Sequence, residues 1–345
     1  ERASLLERIA QIAEKELADP SRAFDAVARA FIEMPEDMRL ADEMERLASA
    51  CGRDSDAASK LEEVLTSLVF TERSSDSGRR LTAELNRDLG LRAARIWERL
   101  SDDQRAETRY QTVLDQDSEN QDALAALERI YRQRGDSVLL AEILIKRSQV
   151  ESDTRKKREA LAEAAKLYEG PLADEFKAIE AWKKILEIDE GDARALEALA
   201  DLFERARRFE ELVGILRVQV RHTSSMAVKS QKLGRIGQIQ AEELDRAQDA
   251  VATYRELLDM QPNSLLALSA LEGLYSRQQA WQQVQEVLTR RLKAVQSVRE
   301  RVGVLRKLVA LAHEKLRSTG GARRRDRRLR RPARGHRDRH RLPGH

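Results

Sequence analysis

Shifted by 72 residues, this chain lays its apolar positions on themselves. "AIEAWKKILEID" from Ala178 returns as "AVATYRELLDMQ" from Ala250, and Tyr110, Trp182 and Tyr254 fall in one column. So do Leu114, Leu186 and Leu258, and Ala106, Ala178 and Ala250. The second half of each period keeps the same shift, with Leu124, Leu196 and Leu268 aligned and Tyr131, Phe203 and Tyr275 aligned. A fixed period of this kind means a supersecondary unit that buries its apolar face against its neighbours in the chain. A shift of 83 adds an earlier copy, matching Ala23, Val27, Phe31 and Leu47 to Ala106, Tyr110, Leu114 and Ile130. The eleven extra residues are expected in the Ser-rich stretch "TERSSDSGRR", as an exposed loop over about residues 71–84.

Within a period the apolar spacing is three and four, as in Leu196, Leu199, Leu202 and Phe203, which is one face of an α-helix. Four helices of about 12–16 residues fit one period, giving two helical hairpins. Composition agrees: 36% of residues are charged and 4% aromatic, so apolar surface is buried thinly over many small contacts, and with 15 Gly and 6 Pro hairpin turns of strands are too few. The expected fold is all-α, an α-α superhelix, or solenoid, of stacked antiparallel hairpins. Its units span about residues 4–70, 85–155, 156–227 and 228–298, with a partial unit at 299–316, together one array over 1–316. Pro35 and Pro262 share one repeat position at the end of a second helix, and Pro20 and Pro171 fall between first and second helices. Gly52 and Gly135 coincide at the turn between third and fourth helices, where a left-handed residue ends a helix cheaply.

These residues resemble the tetratricopeptide repeats of bacterial type, helical hairpins with small and large residues at set places. "AWKKILEIDE" and "TYRELLDMQP" keep that family's small residue followed by a ring four later, as Ala178 to Trp182 and Ala250 to Tyr254, with Pro262 eight beyond the second ring. Ala165 and Gly237 sit where the family places its glycine. The even hairpins depart from the pattern, with Leu140, Leu212 and Val284 in place of the second small residue. The ring series reads as core, not as a stacking platform for bases.

The resemblance implies a groove walled by the first helix of every hairpin, suited to a peptide or a partner protein. Two positions per first helix are expected to face it: Asp42 and Arg46, Ala125 and Arg129, Ala162 and Lys166, Glu197 and Asp201, Gly234 and Gln238, Ser269 and Gly273. Members that grip the C-terminal carboxylate of chaperone tails carry Lys and Asn there, and no pair here does. Asp42, Arg46, Arg129, Lys166, Glu197, Asp201 and Gln238 are therefore candidates for a groove of mixed charge.

Catalysis is not expected. His222 and His313 stand apart without a second ligand at metal spacing, the other three His lie in the last 26 residues, and no phosphate-binding glycine loop or nucleophile motif occurs. No cofactor and no metal are implied. Cys51 is expected to be a small buried helix residue. No apolar run approaches the ~18 residues a membrane span needs, and the default location is cytoplasmic.

The net charge of +3 conceals a division. Residues 320–345 hold eleven Arg, no Lys and two Asp, which leaves residues 1–319 near −6. The stretch 317–345 has no apolar period and is expected to be a disordered Arg-rich tail. Arg, Gly, Pro, His and Ala without Lys is also what GC-rich codons give out of frame, so a frameshifted or misjoined end is the leading reading, beside a basic arm and a natural truncation. Three functions follow in order: a non-catalytic scaffold binding a peptide or protein in its groove; nucleic-acid or anionic-surface binding through the tail, if the tail is genuine; or a structural spacer in a larger protein. The half-unit near Arg299 and the absence of a starting Met lead us to expect a segment of a longer array.

Overall fold

The computed structural model describes residues 1–69 and 76–313. Among these residues there are seventeen helices and no strand. The first ten are α1 (Arg2–Lys15), α2 (Pro20–Glu33), α3 (Met38–Cys51), α4 (Asp54–Val69), α5 (Asp76–Arg99), α6 (Asp103–Gln116), α7 (Gln121–Arg134), α8 (Ser137–Val150), α9 (Thr154–Glu169) and α10 (Glu175–Ile188). They form one compact unit, Glu1–Ile188. A second unit begins at Asp189 and contains α11 (Ala193–Arg205), α12 (Phe209–His222), α13 (Met226–Glu242), α14 (Ala247–Met260), α15 (Leu265–Arg277), α16 (Trp281–Ala294) and α17 (Val298–Leu311).

Within each unit, packing is mainly between helices adjacent in the chain: α1 on α2, α2 on α3, α5 on α6, and in the second unit α12 on α13, α13 on α14 and so on, with smaller contacts of α2 with α4 and α13 with α15. Short turns make each pair antiparallel. This is the stacked-hairpin architecture with a four-helix period. The Arg-rich stretch 317–345 lies outside the described residues, as do 70–75. The loop expected over 71–84 is corrected in its second part, because α5 begins at Asp76. After Gly78 the sequence "RRLTAELNRDLGLRAARIW" holds strong helix formers and no Pro, so the extra residues lengthen this helix.

The turns repeat as faithfully as the helices. Asp37, Asn120, Asp192 and Ser264 share one repeat position, and each side chain caps a third helix by accepting from a backbone N–H, of Arg39 at 3.1 Å, Ala123 at 3.0 Å, Ala195 at 3.1 Å and Ala267 at 3.4 Å. Such a cap contributes about 1 kcal/mol. Asp19, Asp102 and Asp174 do the same for α2, α6 and α10. The left-handed turn residues also keep register: Ala18, Ser101, Ala173 and Asp245 before the second helices, and Gly52, Gly135, Arg207 and Gln279 before the fourth.

The core is thin and Ala-rich. Tyr110, Trp182 and Tyr254 are buried, and Tyr131, Phe203 and Tyr275 are buried one hairpin later. At Gly237 a Cβ would lie 2.6 Å from Cζ of Tyr254, so the ring packs directly on helix backbone. Polar tips find partners: Tyr110 Oη donates to Glu98 at 3.0 Å, and Trp182 Nε1 donates to Glu169. Leu140, Leu212 and Val284, where the tetratricopeptide pattern has a small residue, are buried core. Cys51 ends α3 half-buried. In α17, Val304 and Leu311 are buried while Val298, Val302, Leu305 and Val309 are exposed.

Candidate functional site

The expected groove residues all project from first helices of hairpins. Asp42 and Arg46 lie on α3, Arg129 on α7, Lys166 on α9, Glu197 and Asp201 on α11, and Gln238 on α13, every one of them exposed. Two of the companion positions differ: Ala162 and Gly234 are buried. The equivalents on the third helices, Ala125, Glu197 and Ser269, are exposed.

In the first unit, α3, α5 and α7 enclose an open cavity of about 850 Å³. Its cations are Arg92, Arg95, Arg99 and Arg129, and its anions Glu45, Asp88, Glu98 and Asp122. The arginines are already engaged. Arg92 bridges Asp42 at 2.7 Å and Glu45 at 2.8 Å, Arg95 reaches Asp122 at 2.6 Å, and Arg129 reaches Glu98 at 2.6 Å. Of the sequence candidates, Arg129 lines this cavity and Asp42 is tied to its rim. Arg46 is held apart by Glu14 at 2.5 Å and Glu43 at 2.7 Å. That contact, first with Glu43, raises the Arg46 guanidinium, and the Arg46 hydrogen bond holds the Glu43 carboxyl below the usual range. An anionic ligand would have to displace these carboxylates. Partly exposed pairs of this kind are individually worth about 0–1 kcal/mol, so the exchange is feasible but not driven.

The second unit holds a different cavity. Helices α11, α13 and α15 enclose about 600 Å³, with Leu212 and Leu216 of α12 and Tyr254 of α14 also in its lining. Asp201 and Gln238 meet here, so the structure brings two of the seven candidates together. Glu197 stands one turn earlier on α11, and Lys166 belongs to neither cavity. Gln238 donates to Glu242 at 2.9 Å and accepts from Arg235 at 3.1 Å, and Arg235 also pairs with Glu204. Burial, then the charge of Glu242, push the Tyr254 phenol up.

Sequence reasoning missed the α5 arginines and the half-buried pairs Glu128–Arg147 and Glu272–Arg291. Applying the period to charged columns as well as apolar ones would have found the pairs, since they stand two periods apart. His222 ends α12 and lies 3.2 Å from Glu190, whose carboxyl is lowered by His222 and then Arg221. Among the described residues no group of three or more His, Cys, Asp or Glu is placed to hold a metal ion, and no helix is long and apolar enough to cross a membrane.

No protein-family model matches the chain. No curated protein matches it either. Solved structures similar to it include a tetratricopeptide repeat protein from Parabacteroides merdae, 14% identical, covering 79% of this chain and 98% of its own, TM-score 0.32. YrrB, a TPR protein with an unusual peptide-binding site, is 15% identical over 53% of this chain and 90% of its own, TM-score 0.28. The TPR2AB domain of yeast Sti1 in complex with pHSP90 is 14% identical over 90% and 96%, TM-score 0.28. At these values the likeness adds nothing to the helix order. What sets the chain beside tetratricopeptide arrays is its own four-helix period and its rings packed on small residues.

Proposed function

We propose that the chain is a protein-interaction scaffold whose first-helix faces receive a segment of another protein. One observation carries the reading: in each unit the wall made by alternate helices opens into a cavity, α3/α5/α7 in one and α11/α13/α15 in the other, and Arg129, Asp201 and Gln238 line them. Cavities of this size on rigid helices suit side chains of a peptide. The second helices, by contrast, spend their faces on packing: α10 buries Ala178, Ile179, Ala181, Trp182 and Ile185.

The test is cross-linked capture with the full chain, followed by three variants. Arg129→Glu and Asp201→Lys are expected to lose the captured protein, and Lys183→Glu, an exposed change on second helix α10, is expected to keep it. Equal capture by all three contradicts the groove reading. The tail reading has a separate test: deletion of residues 320–345 is expected to leave groove capture unchanged and to abolish any salt-sensitive RNA or DNA binding.

A further inference from the structure

The α11/α13/α15 cavity is lined at Ala200, a position where this period departs from its neighbours. Glu128 on α7 and Arg147 on α8 form an ion pair, and Glu272 on α15 and Arg291 on α16 form the same pair at 2.6 Å. One period after the first and one before the second stand Ala200 and Gln219. Glu128 is buried and the Glu272 side chain is 13% exposed, so in these periods a carboxylate and a guanidinium fill the wall between third and fourth helices. Between α11 and α12 both are missing. Ala200 lines the cavity, and Gln219 is buried with no hydrogen-bond partner for its Oε1.

The cavity is apolar at its base and acidic at its rim. Leu212 and Leu216 are buried beneath it, while Leu266 lines it and is 56% exposed. Of the lining carboxylates, Glu204 is paired with Arg235, while Asp201 and Glu242 have no ion-pair partner among the described residues. Among the described residues Glu197, exposed one turn away on α11, and the lining cation Lys232 likewise have no ion-pair partner. The α3/α5/α7 cavity has no such surplus, because its arginines are matched by carboxylates.

We propose that this pocket takes a bulky apolar side chain, of the size of Leu or Phe, from a partner protein segment that carries Arg or Lys close to it. The proposal rests on the groove reading above and specifies its ligand. The apolar residue covers Leu266 and lies beside Ala200, where the neighbouring periods carry the Glu of the ion pair. The basic residue is held by Asp201 and Glu242, neither of which is in an ion pair among the described residues, Glu242 accepting only the neutral Gln238 amide at 2.9 Å. Recognition of this kind needs no terminal carboxylate.

The probes are fluorescein-labelled, acetylated and amidated peptides presenting Leu with Arg one helical turn away, and matched peptides with Ser for Leu or Glu for Arg, titrated by anisotropy into the full chain. The Leu–Arg peptide is expected to bind, and each replacement to weaken it by roughly tenfold, the Arg effect shrinking in high salt. The deciding variant is Ala200→Glu with Gln219→Arg, which rebuilds the ion pair of the flanking periods without changing net charge. It is expected to keep the wild-type helical signal and unfolding midpoint while losing the peptide. Should it fail to fold, Leu266→Ser, at an exposed position, is expected to weaken the Leu–Arg peptide alone. Equal affinity for the Ser–Arg peptide, unchanged binding by the folded variant, or no binding by any peptide of the set each overturns the pocket assignment. None of these touches the groove reading, which stands or falls on capture by the Arg129 and Asp201 variants.

Discussion

Gly237 and Tyr254 show how a single contact sets the spacing of a hairpin. A Cβ on residue 237 would fall 2.6, 2.8 and 2.9 Å from Cζ, Cε2 and Cε1 of the ring, so Gly237→Ala must push Tyr254 aside. Overpacking costs about 1–3 kcal/mol, and the better helix propensity of Ala returns about 1. Net destabilisation of about 1 kcal/mol in urea unfolding is expected, and a stabilised variant would contradict this packing. Trp182→Ala is the larger lesion. The indole is 3% exposed, so its removal is expected to cost about 3–5 kcal/mol and to lower the unfolding midpoint accordingly. The ring and small-residue columns were readable beforehand because packing restricts side-chain size at both positions. The cavity linings were not, because Arg92 and Lys232 obey no apolar period and their surroundings are assembled from three helices in one cavity and five in the other.

Helix ends carry the next level of the account. Gly52, Gly135, Arg207 and Gln279 occupy one repeat position with φ of 72°, 73°, 56° and 56°. The two glycines signal the turn in the sequence, whereas Arg207 and Gln279 adopt the same left-handed conformation at a cost of about 1–2 kcal/mol each. The surrounding helices impose it, which is why residue type alone conceals it. Gln279→Gly is therefore expected to stabilise the chain by about 0.5–1 kcal/mol, read as a rise in thermal midpoint, and a fall would show that the turn is not strained. The start of α5 at Asp76 has the opposite cause. There a Ser-rich, Gly-containing run reads as a loop, yet the strong helix formers behind it extend the helix.

For the molecule as a whole, ionisation sets limits on both sides of neutral pH. Asp37, Glu43 and Glu190 have carboxyls lowered by their Arg or His partners, so their contributions are in place above the ordinary carboxylate values of 3.8 and 4.5 and are lost as the pH falls below them. Tyr110, Tyr131, Tyr168 and Tyr254 are raised, in each case first by burial. The unfolded chain ionises its phenols near 10.0 while the folded chain keeps them neutral, so stability is full below that value and declines as the pH rises past it. Tyrosinate absorbance is expected to appear together with loss of helical signal above that pH; phenols titrating near 10.0 with helix intact would contradict their burial. The most direct test of the central claim, that the 72-residue period is a physical unit and not a pattern in the sequence alone, is to excise one. Removing residues 117–188 joins Gln116 to Asp189, where the intact chain has Asp117. Circular dichroism and thermal melting of the shortened chain should show the same helical signal per residue and a cooperative transition at a lower midpoint. A collapsed helical signal, as expected when a core built from distant segments is cut through, would contradict the account.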